Sequence, residues 1–332
     1  MPYLAELGVS HLYLSPIFAS APESNHNYDV IDPTVVNPEL GGIDGLRLLA
    51  RVAHDAGLGL VVDLVPNHLG VEVPRRNRWW WDVLKHGKDS DYAHFFDIDW
   101  AEDNGAGGKV ALPALGAPGD TDALKLEHLD GEDVLTYYDH VFPLAPGSYA
   151  GLNDDPAAVH ERQHYQLMYW RDGIISYRRF FSINGLAGVR QEDEDVFNAT
   201  HSCLRELVGV GLIDGVRVDH PDGLTDPFGY LTRLRELIGP DTWLIVEKIL
   251  AADEPLDPRL NVDGTTGYDA LREFDGAFVN TDAATALGAV ALRFSGTTWD
   301  AHAVEKAEWM LKARVAEDEL AAEIRRLARA VR

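Results

Sequence analysis

The chain has 332 residues, 46% of them hydrophobic, and carries 29 Lys and Arg against 54 Asp and Glu for a formal charge of -25. That length buries a sizeable core, either as one large domain with an insertion or as two domains. The charge repels phosphates and anionic lipid, so neither nucleic acid nor a membrane is expected as a partner, whereas a neutral sugar meets no such barrier. The lone Cys203 rules out an internal disulfide. The opening Met1 to Glu6 lacks the basic and apolar regions of a secretory signal, and no run approaches the roughly 18 apolar residues that span a bilayer. A cytoplasmic location is the default expectation.

In chain order, Tyr3 to Gly8 reads as a helix feeding a strand at His11 to Pro16, and Leu58 to Pro66 as a second strand, rich in Val and Leu without polar alternation. Between them Leu46, Leu49, Ala50 and Ala53 recur at helical spacing, with Gly57 where a left-handed cap would sit. This is a βαβ unit. From about Leu69 to Ser202 aromatic pairs and triplets crowd between Gly and Pro turns and the alternation is lost, as in an insertion. A second unit follows, with Ile213 to Asp219 as strand, Asp226 as N-cap, Pro227 at the first helical position and Leu231, Leu234 and Ile238 as an apolar stripe. Gly239-Pro240 is its stop and Trp243 to Val246 the next strand. A fifth or sixth strand falls within 261–279, and the Ala-rich stretch from Thr281 to Arg332 reads as helices.

The predicted fold is thus α/β, a partial (β/α)8 TIM-type barrel with a large aromatic-rich insertion after the strand ending near Asp63 and a helical C-terminal segment. Residues 1–68 and 203–279 are expected to form the barrel part, 69–202 the inserted subdomain and 280–332 the helical segment. Active sites of such barrels lie at the carboxyl ends of the strands.

Two carboxylates close adjacent predicted strands, Asp219 and Glu247. Retaining glycosyl transfer needs one carboxylate to attack the anomeric carbon and a second carboxyl group about 5 to 5.5 Å away to protonate the departing oxygen. Strand ends about 4.8 Å apart can provide that. Arg217, two residues before Asp219, points to the same side and is expected to hold Asp219 ionised, while Glu247, nearer apolar neighbours, keeps its proton. An ordinary structural ion pair is the competing reading of Arg217 and Asp219. Asp63, Asn67 and His68 end another strand at the same rim, where amide and imidazole can meet sugar hydroxyls.

Asp63 to His68, Gly215 to His220 and Val246 to Lys248 resemble, in order, the first three signature regions of the alpha-amylase family of glycoside hydrolases. The longer strings Asp29 to Gly42, Phe95 to Trp100, Tyr177 to Phe181, Arg217 to Leu224, Glu247 to Leu250 and Gly264 to Asp269 resemble its maltooligosyltrehalose synthase branch. The resemblance implies Asp219 as nucleophile, Glu247 as general acid/base, Tyr28 stacked on the attacked glucose, and His68, Arg217 and His220 lining that subsite. It implies an isomerase that turns the reducing-end α-1,4 linkage of a maltooligosaccharide into an α,α-1,1 linkage while excluding water, with no cofactor and no metal. The aromatic insertion is a candidate for closing the pocket, although such clusters also form cores. An amylase-type hydrolase or glucanotransferase is the alternative, and a non-catalytic remnant that binds maltooligosaccharide is a reading of another class.

The family carries its third catalytic Asp in a later His-Asp motif, whereas the His-Asp of this chain, His54-Asp55, falls in the first crossover helix. The chain is therefore expected to be a fragment about half the family's length, lacking the first strand and the C-terminal half, weakly active or inactive alone and able to pair with the missing portion. Ser176 stands where relatives tend to carry Asn. Two further patterns are set aside. His160-Glu-Arg-Gln-His164 matches a zinc-peptidase motif, but with 13 His in the chain such a match arises by chance in about one protein in twenty to thirty, and no clear third ligand follows. The glycines of Gly209 to Gly215 precede a strand instead of following one, so they cannot cradle a dinucleotide phosphate.

Overall fold

A computed structural model of the chain describes residues 1–296 and 300–331. Strand β1 (His11–Leu14) lies parallel to β2 (Gly59–Leu64), β2 to β3 (Gly215–Val218), β3 to β4 (Trp243–Val246), and β4 to the two-residue β5 (Gly264–Thr265). The order in the sheet is the order in the chain. A doubly wound sheet reverses its order at a switch point, whereas a barrel wall adds strands in one direction, so this is a TIM-type arrangement. The fifth strand falls inside the predicted window. No sixth strand joins among the described residues, because Tyr268–Gly276 is a helix. Its Ala-Leu-Arg-Glu run, without β-branched residues, favours that outcome.

Sheet burial explains the continuous Val and Leu runs. Leu60, Val61, Val62, Val216, Val218, Leu244 and Val246 are all sealed from solvent, each such side chain contributing about 1.5–3 kcal/mol. Helix α1 (Gly42–Asp55) covers one step of the sheet with Leu46, Ala50 and Ala53 and ends beside Gly57, whose φ of 74° is the left-handed conformation expected there. Helix α2 (Pro227–Ile238) is capped by the Asp226 side chain, which accepts from the Gly229 amide, and buries Leu231, Leu234 and Ile238. These sequence signals act locally, in the Asp226 cap that starts α2 and the glycines Gly57 and Gly239 that follow the two helices.

Between Leu69 and Ser202 the chain forms short strands and helices of its own. Asn77 caps the helix Arg78–His86, whose Trp79 and Trp80 pack edge-on against Phe95 and Phe96, each at 4.9 Å, so these aromatics are core. Arg179–Phe180 pairs antiparallel with Ile183–Gly188, and that strand pairs with His68–Gly70, with Gly188 opposite His68. This hairpin reaches the carboxyl end of β2.

Two compact units divide the chain, the first formed by residues 1–248 and 256–266, the second by 249–255 and the chain from 267 onward. The second unit contains the helices Ala284–Ser295, Ala301–Glu317 and Ala321–Ala330, in line with the helical reading of 281–332, of which residues 297–299 and 332 lie outside the described residues. No helix among the described residues is long and apolar enough to cross a membrane.

Candidate active site

Asp219 and Glu247 immediately follow β3 and β4, so the parallel pairing of these strands brings them to one rim. A single guanidinium joins them. Arg217 places Nη1 2.6 Å from Asp219 Oδ1 and Nη2 3.0 Å from Glu247 Oε1. The same Nη1 lies 2.8 and 2.9 Å from the two oxygens of Asp63 on β2. Three strands therefore converge through one side chain on three carboxylates, and two groups so held can divide nucleophilic and proton-transfer work.

The electrostatic expectation for this pair is corrected. Burial raises the Asp219 carboxyl to about 7, against the opposing pull of Arg217, with Asp63 and Glu247 adding repulsion. Desolvation outweighs the ion pair. The apolar surroundings belong to Asp219, 6% exposed at the end of a sealed strand, whereas Glu247 keeps about a quarter of its side chain in solvent. Glu247 is held by hydrogen bonding as well, since its Oε2 accepts from the His220 backbone N–H at 3.1 Å. His220 makes this possible by adopting φ 45° and ψ 52°, a left-handed turn directly after Asp219 that His tolerates better than most residues. On Arg217 burial acts to lower the pKa, but the attraction of Asp63 prevails and the guanidinium is raised.

Asp63 is wholly buried. Its Oδ2 accepts from the Tyr13 hydroxyl at 2.5 Å and the Tyr28 hydroxyl at 2.6 Å, besides Arg217. Burial and that bond push Tyr28 up to about 12. Asn67 is also buried, and its Oδ1 accepts from Arg178 Nη1 at 2.5 Å, so both residues are engaged by protein partners. His68 lies with Nε2 3.2 Å from the Tyr28 carbonyl and Nδ1 3.3 Å from the Asn67 amide, and burial lowers it to about 4. It is neutral at physiological pH. Burial lowers His220 as well. Every site residue read from the sequence thus gathers at this rim, Tyr28 and Asp63 included.

Four contributors lie outside the site residues expected from the sequence. Tyr13 on β1 completes the shell of Asp63. Arg178 spans the rim, donating to Asn67 Oδ1, to the carbonyls of Gly223 and Val189, and through Nε to Asp97 Oδ2 at 3.3 Å. Phe180 and Phe181 stand against His220 at 5.1 and 5.4 Å, and Phe180 against His68 at 4.5 Å. The Tyr177 to Phe181 string was a family signature in the sequence, but only folding shows what it touches.

The His54-Asp55 and His160 to His164 patterns lie away from this rim. His54 bonds Asp214 at 2.8 Å, and Asp214 precedes the amino end of β3, opposite the rim. The helix Pro156–His160 stops at His160, so His164 cannot lie one helical turn along, and His160 Nε2 accepts from the Leu167 amide. Among the described residues no group of three or more His, Cys, Asp or Glu side chains is arranged so that it could hold a metal ion.

Comparison with known proteins agrees with this geometry. Residues 1–224 match the alpha-amylase catalytic domain. A Mycobacterium tuberculosis (strain H37Rv) protein named as a maltooligosyl trehalose synthase is 51% identical over 331 residues, covering 100% of this chain and 42% of that protein. The structure of maltooligosyltrehalose synthase from Arthrobacter ramosus superposes with a TM-score of 0.91 at 45% identity, again over 100% of this chain and 42% of the other. An intracellular maltogenic amylase of Bacillus subtilis matches more locally, 41% over 98 residues, 30% of this chain and 16% of its own. The chain thus spans under half the length of the synthases it matches. With its first 224 residues matched in full and its rim carboxylates on consecutive parallel strands, the chain belongs to the alpha-amylase family.

Proposed function

We propose that this chain carries the catalytic rim of a maltooligosyltrehalose synthase, acting on maltooligosaccharides by a retaining double displacement. Asp219 attacks the anomeric carbon of the glucosyl residue next to the reducing end, and Glu247 gives its proton to the departing oxygen. The freed glucose stays bound. Its anomeric hydroxyl then attacks the glycosyl-enzyme, Glu247 takes back the proton, and the new linkage is α,α-1,1. Tyr28, His68, Arg217 and His220 bind the reacting glucose, while Asp63 and Asn67 contribute through the side chains they hold. The observation that carries this reading is the shared Arg217 guanidinium between Asp219 and Glu247, in a chain similar along its whole length to proteins named as such synthases.

The residues of 69–202 act in this reading as an inserted subdomain whose hairpin shields the rim. The third family carboxylate comes from pairing with a C-terminal portion of the kind the longer relatives carry, in a cytoplasmic protein. The local likeness to a maltogenic amylase favours hydrolysis as the second reading. Maltopentaose separates them: loss of reducing ends with little free glucose supports the synthase, and a gain of reducing ends supports the hydrolase. Turnover that survives Asp219→Asn sinks the assignment of the nucleophile.

A further inference from the structure

Phe181 occupies a backbone position that suits almost any residue less well than glycine. Phe180 pairs with Ile183, so Phe181 and Ser182 form a two-residue hairpin turn. Phe181 takes φ 48°, in the left-handed region. Hairpins fill that first turn position with Gly, Asn or Asp, because a bulky side chain there crowds its own backbone. The strain is not repaid by burial, for Phe181 remains 59% exposed. Strain that persists at a largely exposed position is characteristic of functional sites.

The ring's surroundings say what that function is. It lies 4.7 Å from Phe180 and 5.4 Å from His220, centroid to centroid. His220 is the residue after Asp219, and its N–H bonds Glu247. Arg178 fixes the base of the same hairpin to Asn67 and to the Gly223 carbonyl beyond His220. An exposed ring standing against His220, whose own backbone N–H bonds Glu247, offers a negative π face to the positively polarised C–H face of a pyranose. We propose that Phe181 is a sugar-contacting residue, an aromatic platform for a glucose unit adjacent to the one handled at Asp219 and Glu247. This rests on the function proposed above.

The test is calorimetric titration with maltopentaose, alongside melting temperatures, for the native protein, Phe181→Gly and Phe181→Tyr. Glycine relieves the turn, so Phe181→Gly is expected to melt at the same or a higher temperature. Its affinity should fall roughly ten-fold with the platform gone, while Phe181→Tyr, keeping a ring, binds within about two-fold of native. A Phe181→Gly variant that melts earlier or fails to fold makes the ring a structural element and overturns the proposal. Native affinity in Phe181→Gly overturns it too, and leaves the carbohydrate reading standing. Absence of binding by the native protein overturns both together.

Discussion

Arg217 and Asp63 are register partners on neighbouring parallel strands, and their side chains meet at 2.8 Å with almost no exposure to solvent. The pair orients the guanidinium, whose remaining contacts go to Asp219 and Glu247. Removing the Asp63 carboxylate leaves a buried cation short of its main counter-charge. Asp63→Ala is therefore expected to lose about 3–5 kcal/mol of stability, measured by chemical denaturation. A loss within about 0.5 kcal/mol, the range of an ordinary surface substitution, would show that the pair is not holding the rim.

Arg178 ties the aromatic hairpin to the barrel rim, and Gly188 leaves the space it needs. A Cβ on Gly188 would stand 2.6 Å from the Arg178 guanidinium carbon. Arg178→Met and Gly188→Ala should thus share one phenotype, faster amide exchange through 183–189 with about 1–3 kcal/mol lost for each polar group left unpaired. Faster exchange in one variant and not the other would separate the two effects and refute the shared cause.

His68 and His201 are both buried and lowered to about 4, from an ordinary value near 6.5, by desolvation. The unfolded chain binds more protons than the native state between those values, so stability is present in full above pH 6.5 and is lost as pH falls toward 4. Asp219, raised to about 7, acts in the opposite sense over a similar window, since there the native state holds the extra proton. Two histidines against one aspartate leave a net fall on acidification. His201→Gln should flatten that fall, as read from denaturation midpoints between pH 7 and 4.

Asp219 is costly to the fold in its ionised form. Asp219→Asn removes the buried charge, so the stability of the variant relative to the native protein should rise as pH goes from 5 to 8. In any active form of the protein the native acid limb of kcat/KM should lie near pH 7, where Asp219, the proposed nucleophile, ionises. A limb near 4, or a relative stability independent of pH, would contradict the burial of this carboxyl.

Much of this was legible beforehand because it is local. The Asp226 cap, the Pro227 start, the Gly57 turn and the Val-rich strands each follow from a few neighbouring residues, and together they place Asp63, Asp219 and Glu247 at strand ends on one rim. The short strand at Gly264–Thr265 was less legible, since two residues carry no periodicity.

By itself the sequence determined the alternation of strands and helices, the strand-end carboxylates and the family strings, since these depend on spacing along the chain. The Arg217–Asp219 pair was legible from their two-residue spacing, whereas tertiary structure alone brought Asp63 and Glu247 to the same guanidinium and decided how Asp219 is desolvated. Arg178 reaches Asn67 across 111 residues of sequence, and Arg217 reaches Asp63 across 154. It also reversed the expected electrostatics, making Asp219 the buried group. Desolvation depends on every atom packed around a carboxyl, most of them far away in the chain, so no local pattern could have announced it.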